Sequence, residues 1–221
     1  MILFKDAATY YEQELHQQLA WEWLQKNVDE ETINLFAEKY RTPIEKESSN
    51  PLNVPYQSQN DNVSGEGYRE CFSSSMAMIA MYYGKVANDD EYNKVRQRYG
   101  DSTSADAQIA ALVSLGLKPT FITNASKQFL INEIDSGRPL GVAWLHHGSV
   151  SNPSGGGHWT VATGYTLGTV IQNDPNGEAS LVTGGYTDNM VGAEMHYSWE
   201  NWLPRWCVEN ANSGWCMQVK N

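Results

Sequence analysis

Cys71-Phe-Ser-Ser-Ser-Met-Ala-Met-Ile-Ala-Met-Tyr-Tyr-Gly84 is the stretch on which the fold turns. Its apolar residues occupy most faces of a helix and Gly84 supplies a stop, so residues 72–83 read as a buried helix. The longest purely apolar run, Met76 to Tyr83, is far below the ~18 residues of a membrane span, and the helix is read as part of a globular core. Ahead of it lies a polar loop, Asp61-Asn-Val-Ser-Gly-Glu-Gly-Tyr-Arg-Glu70, and the cysteine stands where loop meets helix.

Working toward the C-terminus, Asn88 caps a helix reaching Tyr99 and Ser104 caps one reaching Leu115, just before Gly116. A strand over Pro119–Thr123 and a helix from Ser126 to Asp135 lead into a strand at Leu140–Leu145. A glycine-rich loop, His147 to Gly157, follows, then strands near Trp159–Tyr165 and Thr169–Gln172 joined at Leu167-Gly168. Shorter strands are expected at Leu181–Val182, Met195–Tyr197 and Trp215–Val219. Helices first and antiparallel strands afterwards define an α+β chain rather than alternating βαβ units.

Toward the N-terminus, Tyr11, Leu15, Leu19 and Trp23 recur at spacing four, and Asp29 caps a second short helix carrying Ile33, Phe36, Ala37 and Tyr40. That pattern predicts a helical hairpin. Arg41 to Pro51, with two prolines and a polar run, reads as a linker, so the expected division is 1–50, hairpin and linker, and 51–221, the main domain.

The 221 residues are 41% hydrophobic and 19% charged, enough to bury roughly 70% of the unfolded surface without a disulfide framework. A net charge of −11 with no basic patch leaves no electrostatic source for nucleic-acid binding. The N-terminus reaches Asp6 at once, and no secretory signal is read there. The expectation is synthesis in the cytoplasm without membrane insertion. Three cysteines, Cys71, Cys207 and Cys216, exclude a four-thiolate zinc site; one pair at most can form. His146 and His147 are adjacent, so in a strand they face opposite ways and cannot share an ion, and no HExxH motif exists. No metal or cofactor is expected.

Chemistry concentrates at three positions. A helix start favours the thiolate of Cys71, although a lone cysteine there serves equally as a small core hydrophobe. His158 follows Gly155-Gly-Gly157 at a strand entrance. A hairpin turning at Leu167-Gly168 lays Asn173 or Asp174 beside it, although Asn173-Asp-Pro-Asn-Gly177 is also an ordinary turn sequence. Together they offer a nucleophile, a base and an acid to orient the base. Val54-Pro-Tyr-Gln-Ser-Gln59 adds two side-chain amides, Gln57 and Gln59, as oxyanion donors.

Val54–Asp61, Cys71–Met78 ending in Tyr82-Tyr-Gly84, Gly157-His-Trp-Thr-Val-Ala-Thr-Gly-Tyr165 and Asn173–Gly177 resemble the papain-like cysteine peptidases related to bacteriocin-leader-processing peptidases. The match is best to their stand-alone bacterial and phage branch, over roughly residues 52–219. The resemblance implies Cys71 as nucleophile, His158 as general base and acid, Asp174 as its orienting residue and Gln59 as oxyanion donor. Two features depart from that family: Phe72-Ser73 stand where Gly or Asn with Pro or Thr is usual, and the loop from Gln59 to Cys71 is long. Tyr10-Tyr11, His16-Gln17 and Trp21–Gln25 resemble segments of cell-wall-directed proteins. The implied activity is hydrolysis of peptide bonds, with bacterial peptidoglycan as first choice of substrate, acting at the wall after release as a phage or bacterial lysin. The alternative is a non-catalytic wall-binding or virion module that keeps the fold.

Overall fold

The computed structural model describes residues 48–49 and 51–221, within a compact unit spanning 47–221. The hairpin expected over residues 1–40 lies outside the described residues, as does most of the linker. Ser48–Ser49, expected in that linker, instead form a short strand β1 paired with Tyr165 and Thr166.

Three helices open the domain: α1 (Cys71–Tyr82), α2 (Asp89–Arg96) and α3 (Ala105–Ser114). The Asn88 side chain accepts the Glu91 N–H and Ser104 accepts that of Ala107, so both caps work as read. Helix α2 stops at Arg96, short of the expected Tyr99, because the next N–H groups tighten: Arg98 bonds Val95 and Tyr99 bonds Arg96. Then follow β2 (Lys118–Ala125), α4 (Lys127–Asp135), β3 (Leu140–Trp144), β4 (His158–Thr166), β5 (Thr169–Asn173), β6 (Glu178–Ala179), β7 (Tyr186–Asp188), β8 (Met195–Ser198), α5 (Trp199–Trp206) and β9 (Gly214–Lys220).

The main sheet runs β2-β9-β3-β4-β5-β8, antiparallel throughout, with β1 added to β4. Strand alternation divides its side chains between two cores. Leu140, Val142, Trp144, Ala162 and Cys216 pack with Leu130, Ile131 and Ile134 of α4 and with the tryptophans of α5. Val161, Met217 and Val219 face the other way, onto Met76 and Ile79 of α1, Tyr92 of α2 and Leu112 of α3. This is the α+β papain-like architecture, helices packed on an antiparallel sheet.

Two segments differ from the sequence reading. Leu181–Val182 lie in a turn, and the local pairing is made by β6 with β7. Residues 199–206, between the strands expected at Met195–Tyr197 and Trp215–Val219, form α5: Ser198 accepts the Asn201 N–H, and Trp199, Trp202 and Trp206 share its buried face. Pro204 hid this helix, since an internal proline removes a backbone donor and ordinarily argues against one.

Candidate active site

Cys71 is the first residue of α1, His158 the first of β4, and Asp174 follows the last residue of β5. The β4–β5 register, with Val161 opposite Asn173, sets the ends of the two strands side by side. His158 Nε2 lies 2.7 Å from Asp174 Oδ1. Asn173 turns away, donating to the Val54 carbonyl and accepting from the Glu194 N–H, which resolves the choice left open between the two residues. With Nε2 committed to Asp174, Nδ1 is the ring nitrogen left for the hydrogen bond between His158 and Cys71.

The residues following the nucleophile and the base staple this arrangement. Phe72 and Trp159 stack with centroids 3.6 Å apart and planes 2° from parallel. Ser75 Oγ donates to the Trp159 carbonyl at 2.9 Å. The aromatic residue after the cysteine, unusual for the resembled family, therefore pins the start of α1 to the start of β4. On the opposite face of β4, His158 meets the edge of Trp144 at 5.6 Å, its cross-strand neighbour.

The long loop before Cys71 is held by Glu70, a buried carboxylate. Its Oε2 accepts from Asn62 Nδ2 and Ser64 Oγ, both at 2.7 Å, and its Oε1 pairs with Arg96 at 3.3 Å. Gln59 is buried beneath the loop: its N–H donates to Pro175 O, next to Asp174, and its Nε2 donates to Gly67 O at 2.8 Å. That amide carries one more N–H. A side chain at Gly67 would place its Cβ 1.9 Å from the Gln59 carbonyl oxygen, so glycine is required for this approach. Gln57 is used elsewhere, since its Oε1 accepts the Asp89 N–H at the start of α2 and its Nε2 returns to the Tyr56 carbonyl.

Burial alone would raise the Cys71 thiol, but the hydrogen bond and positive charge of His158, with the Trp159 N–H, outweigh it and hold the thiol below its ordinary value. For His158 burial opposes protonation, and the charge and hydrogen bond of Asp174, then Cys71, raise it well above the usual imidazole range. Both shifts favour a thiolate–imidazolium pair. The other thiols go the opposite way: burial, with Glu133 and Cys207 nearby, pushes Cys216 up to about 12, and burial raises Cys207. Near pH 6.5, iodoacetamide is expected to alkylate Cys71 at least ~10-fold faster than either, read by peptide mass spectrometry of the native protein. Equal rates at the three thiols would contradict this electrostatic arrangement.

His146 and His147 depart from the strand reading. β3 ends at Trp144, alternation no longer applies, and the two rings lie together with centroids 3.9 Å apart. His146 also stands 5.3 Å from His158, and burial, then repulsion by His158, drives its imidazole down to about 3, a neutral neighbour. Among the described residues no group of three or more His, Cys, Asp or Glu is placed to hold a metal ion, and no helix is long and apolar enough to cross a membrane. Cys207 and Cys216 are both free thiols. Sequence reasoning missed Trp144, against His158, and Glu70, which holds the loop before Cys71, because their signal is only a residue type common in any core or surface.

Helices packed on an antiparallel sheet, with a thiol at a helix start and an imidazole at a strand start, define the class as papain-like cysteine peptidase. Within it, the chain belongs to the Peptidase_C39 like family, whose model matches residues 51–202. Among solved structures it is similar to the peptidase domain of Streptococcus ComA, a bi-functional ABC transporter involved in a quorum-sensing pathway. That likeness has 18% identity and a TM-score of 0.50, and covers 76% of this chain and 98% of the other. It is also similar to a double-glycine-motif protease from an AMS/PCAT transporter in complex with its leader peptide, at 18% identity and a TM-score of 0.46, covering 77% and 93%. At this identity the likeness is one of fold. No curated protein matches the chain.

Proposed function

We propose that the chain hydrolyses peptide bonds through Cys71, His158 and Asp174, with Gln59 as oxyanion donor. The observation that carries this is the 2.7 Å bond from His158 to a fully buried Asp174 carboxylate, beside a Cys71 thiol that the same imidazole holds below its ordinary value. The thiolate attacks the scissile carbonyl carbon, and the carbonyl π electrons move to oxygen. The second N–H of Gln59 Nε2 and the Cys71 backbone N–H at the start of α1, neither with a partner among the described residues, serve the developing oxyanion. His158 gives its proton to the leaving amine, the C–N bond breaks, and a thioester remains. It then takes a proton from water, whose oxygen replaces the sulfur and regenerates the thiolate.

The substrate we assign is the peptide of bacterial peptidoglycan, with a lysin acting at the wall as the setting. The support is the likeness of the 10–25 segment to wall-directed proteins and the surplus of rings with a polar edge, eight tryptophans and twelve tyrosines against five phenylalanines. The test incubates the full chain with purified walls of several bacterial types and with an unfolded polypeptide, and identifies new amino termini by mass spectrometry. New termini from walls are expected. Termini from the polypeptide alone would keep the peptidase and overturn the wall assignment, and none from either would favour the non-catalytic module.

A further inference from the structure

Asp174 is shielded from water, and an anion so placed needs donors on both oxygens. Oδ1 accepts from His158 and, at 3.0 Å, from the Asn176 N–H. Oδ2 has one short side-chain donor, the phenol of Tyr197 at 2.9 Å. Tyr186 stands farther off, 3.5 Å from Oδ1 and 3.4 Å from Oδ2. The direction of the Tyr197 bond follows from its other partner. The Ala179 N–H donates to the phenol oxygen at 3.0 Å, an ionised carboxylate has no proton to give, and the competing acceptor, Gly177 O, is at 3.4 Å. The phenol proton therefore goes to Asp174.

Tyr197 is also held where it must be. It lies on β8 opposite Val170 of β5, is buried, and sets its ring against Trp144 at 5.8 Å, the same indole that meets His158. The main chain of Asp174 is fixed by the Asp174 N–H to Gly192 O bond at 2.7 Å, and a Cβ at 192 would fall 1.9 Å from Asp174 O. With main chain and Oδ1 occupied, Tyr197 decides the remaining freedom of the carboxylate, its rotation.

We propose that Tyr197 is a positioning member of the catalytic relay, its phenol holding the Asp174 carboxylate in the orientation in which it faces His158 beside Cys71; this rests on the triad reading above. Burial and the Asp174 charge raise the phenol itself far beyond its ordinary value, so it remains a donor at every working pH. The titratable groups facing His158, Asp174 and Tyr197 are Cys71 from α1, Tyr56 from the segment before it, His146 after β3, Glu178 from β6 and Tyr186 from β7.

The test is the pH dependence of Cys71 alkylation by iodoacetamide in the full chain, which needs no substrate. In Tyr197→Phe the ring is kept and the donor lost; the carboxylate is then free to turn from His158 and holds the imidazolium less well, so the Cys71 thiolate loses part of its partner and the acid limb is expected to move up by about one unit, a ~10-fold slower reaction below it. Tyr82→Phe, which removes a hydroxyl bonded to the Gly137 carbonyl away from the site, controls for losing a hydrogen bond. If Tyr197→Phe does not fold, 3-fluorotyrosine placed at 197 decides alone: it keeps the hydroxyl and donates more strongly, so the acid limb moves down. Profiles superimposable on the unmodified chain, or a uniform loss with unmoved limbs, would overturn the proposal. Failure of the triad reading looks different, since Cys71 would then titrate like Cys207 in the unmodified chain whatever is done at 197.

Discussion

Replacing Cys71 by alanine is expected to abolish peptide hydrolysis, a fall on the order of 10⁶ in kcat, as for loss of a triad nucleophile elsewhere. The fold should survive. Cys71 is half-buried, the change removes one sulfur, and the Phe72–Trp159 stack and the Glu70 clamp remain to hold the start of α1. A measurable consequence away from the chemistry is that His158, deprived of the thiolate, titrates at lower pH. Gln59→Ala should cost on the order of 10²–10³, whereas Gln57→Ala, which loses a contact to the start of α2, should cost stability rather than rate. Asp174→Ala should hurt less than His158→Ala, because orienting a base is a smaller task than being one. Undiminished turnover by Cys71→Ala, measured on any peptide the unmodified chain cleaves, would end the nucleophile assignment.

The second large effect is expected at Arg205, on stability. Its guanidinium is fully buried, and its five N–H donors meet four main-chain carbonyls: Nε and Nη2 both reach Leu181, Nη1 reaches Leu145 and His147, and Nη2 also reaches Gly148. Among the described residues no carboxylate pairs with it, and burial holds it below its ordinary value. Carbonyl dipoles alone offset the loss of water. Arg205→Met would leave the Leu145, Gly148 and Leu181 oxygens without that donor, His147 O keeping the Ser154 N–H, at about 1–3 kcal/mol for each that water does not reach, so a loss of at least ~3 kcal/mol by urea unfolding is expected. Arg205→Lys keeps the charge but has only three donors without the planar fork, and should fall between. Because three of the four carbonyls, those of Leu145, His147 and Gly148, belong to the loop carrying His146 and His147, the residual folded Met variant should also turn over more slowly. A Met variant as stable as the unmodified chain would show that the clamp does not hold this loop.

The N-terminal half of the domain was open to sequence reading because its signals are local. Asn88, Ser104 and Ser126 each cap the helix they precede, accepting an N–H three residues on, a contact written within four adjacent letters. The β4–β5 hairpin was legible for the same reason. Helix α5 was not, since Pro204 argues against it and its buried tryptophan face outweighs that argument only after the sheet exists to receive it. The strand expected at Leu181–Val182 failed conversely. Its apolar pair is used to bury Leu181, whose carbonyl takes two bonds from Arg205.

By itself the sequence determined the α+β class, the order of elements from α1 to β5 and the three residue types able to perform acyl transfer, because periodicity, caps and turn residues act over a few positions along the chain. Only the tertiary structure shows that Asp174 and not Asn173 bonds His158, that Gln57 is used at α2 while Gln59 stays beneath the loop, that His146 packs on His147, and that Tyr197 reaches the carboxylate. Each of these depends on strand register or on a contact between distant segments, where a shift of one residue turns every side chain to the other face, and no local stretch of sequence records that outcome.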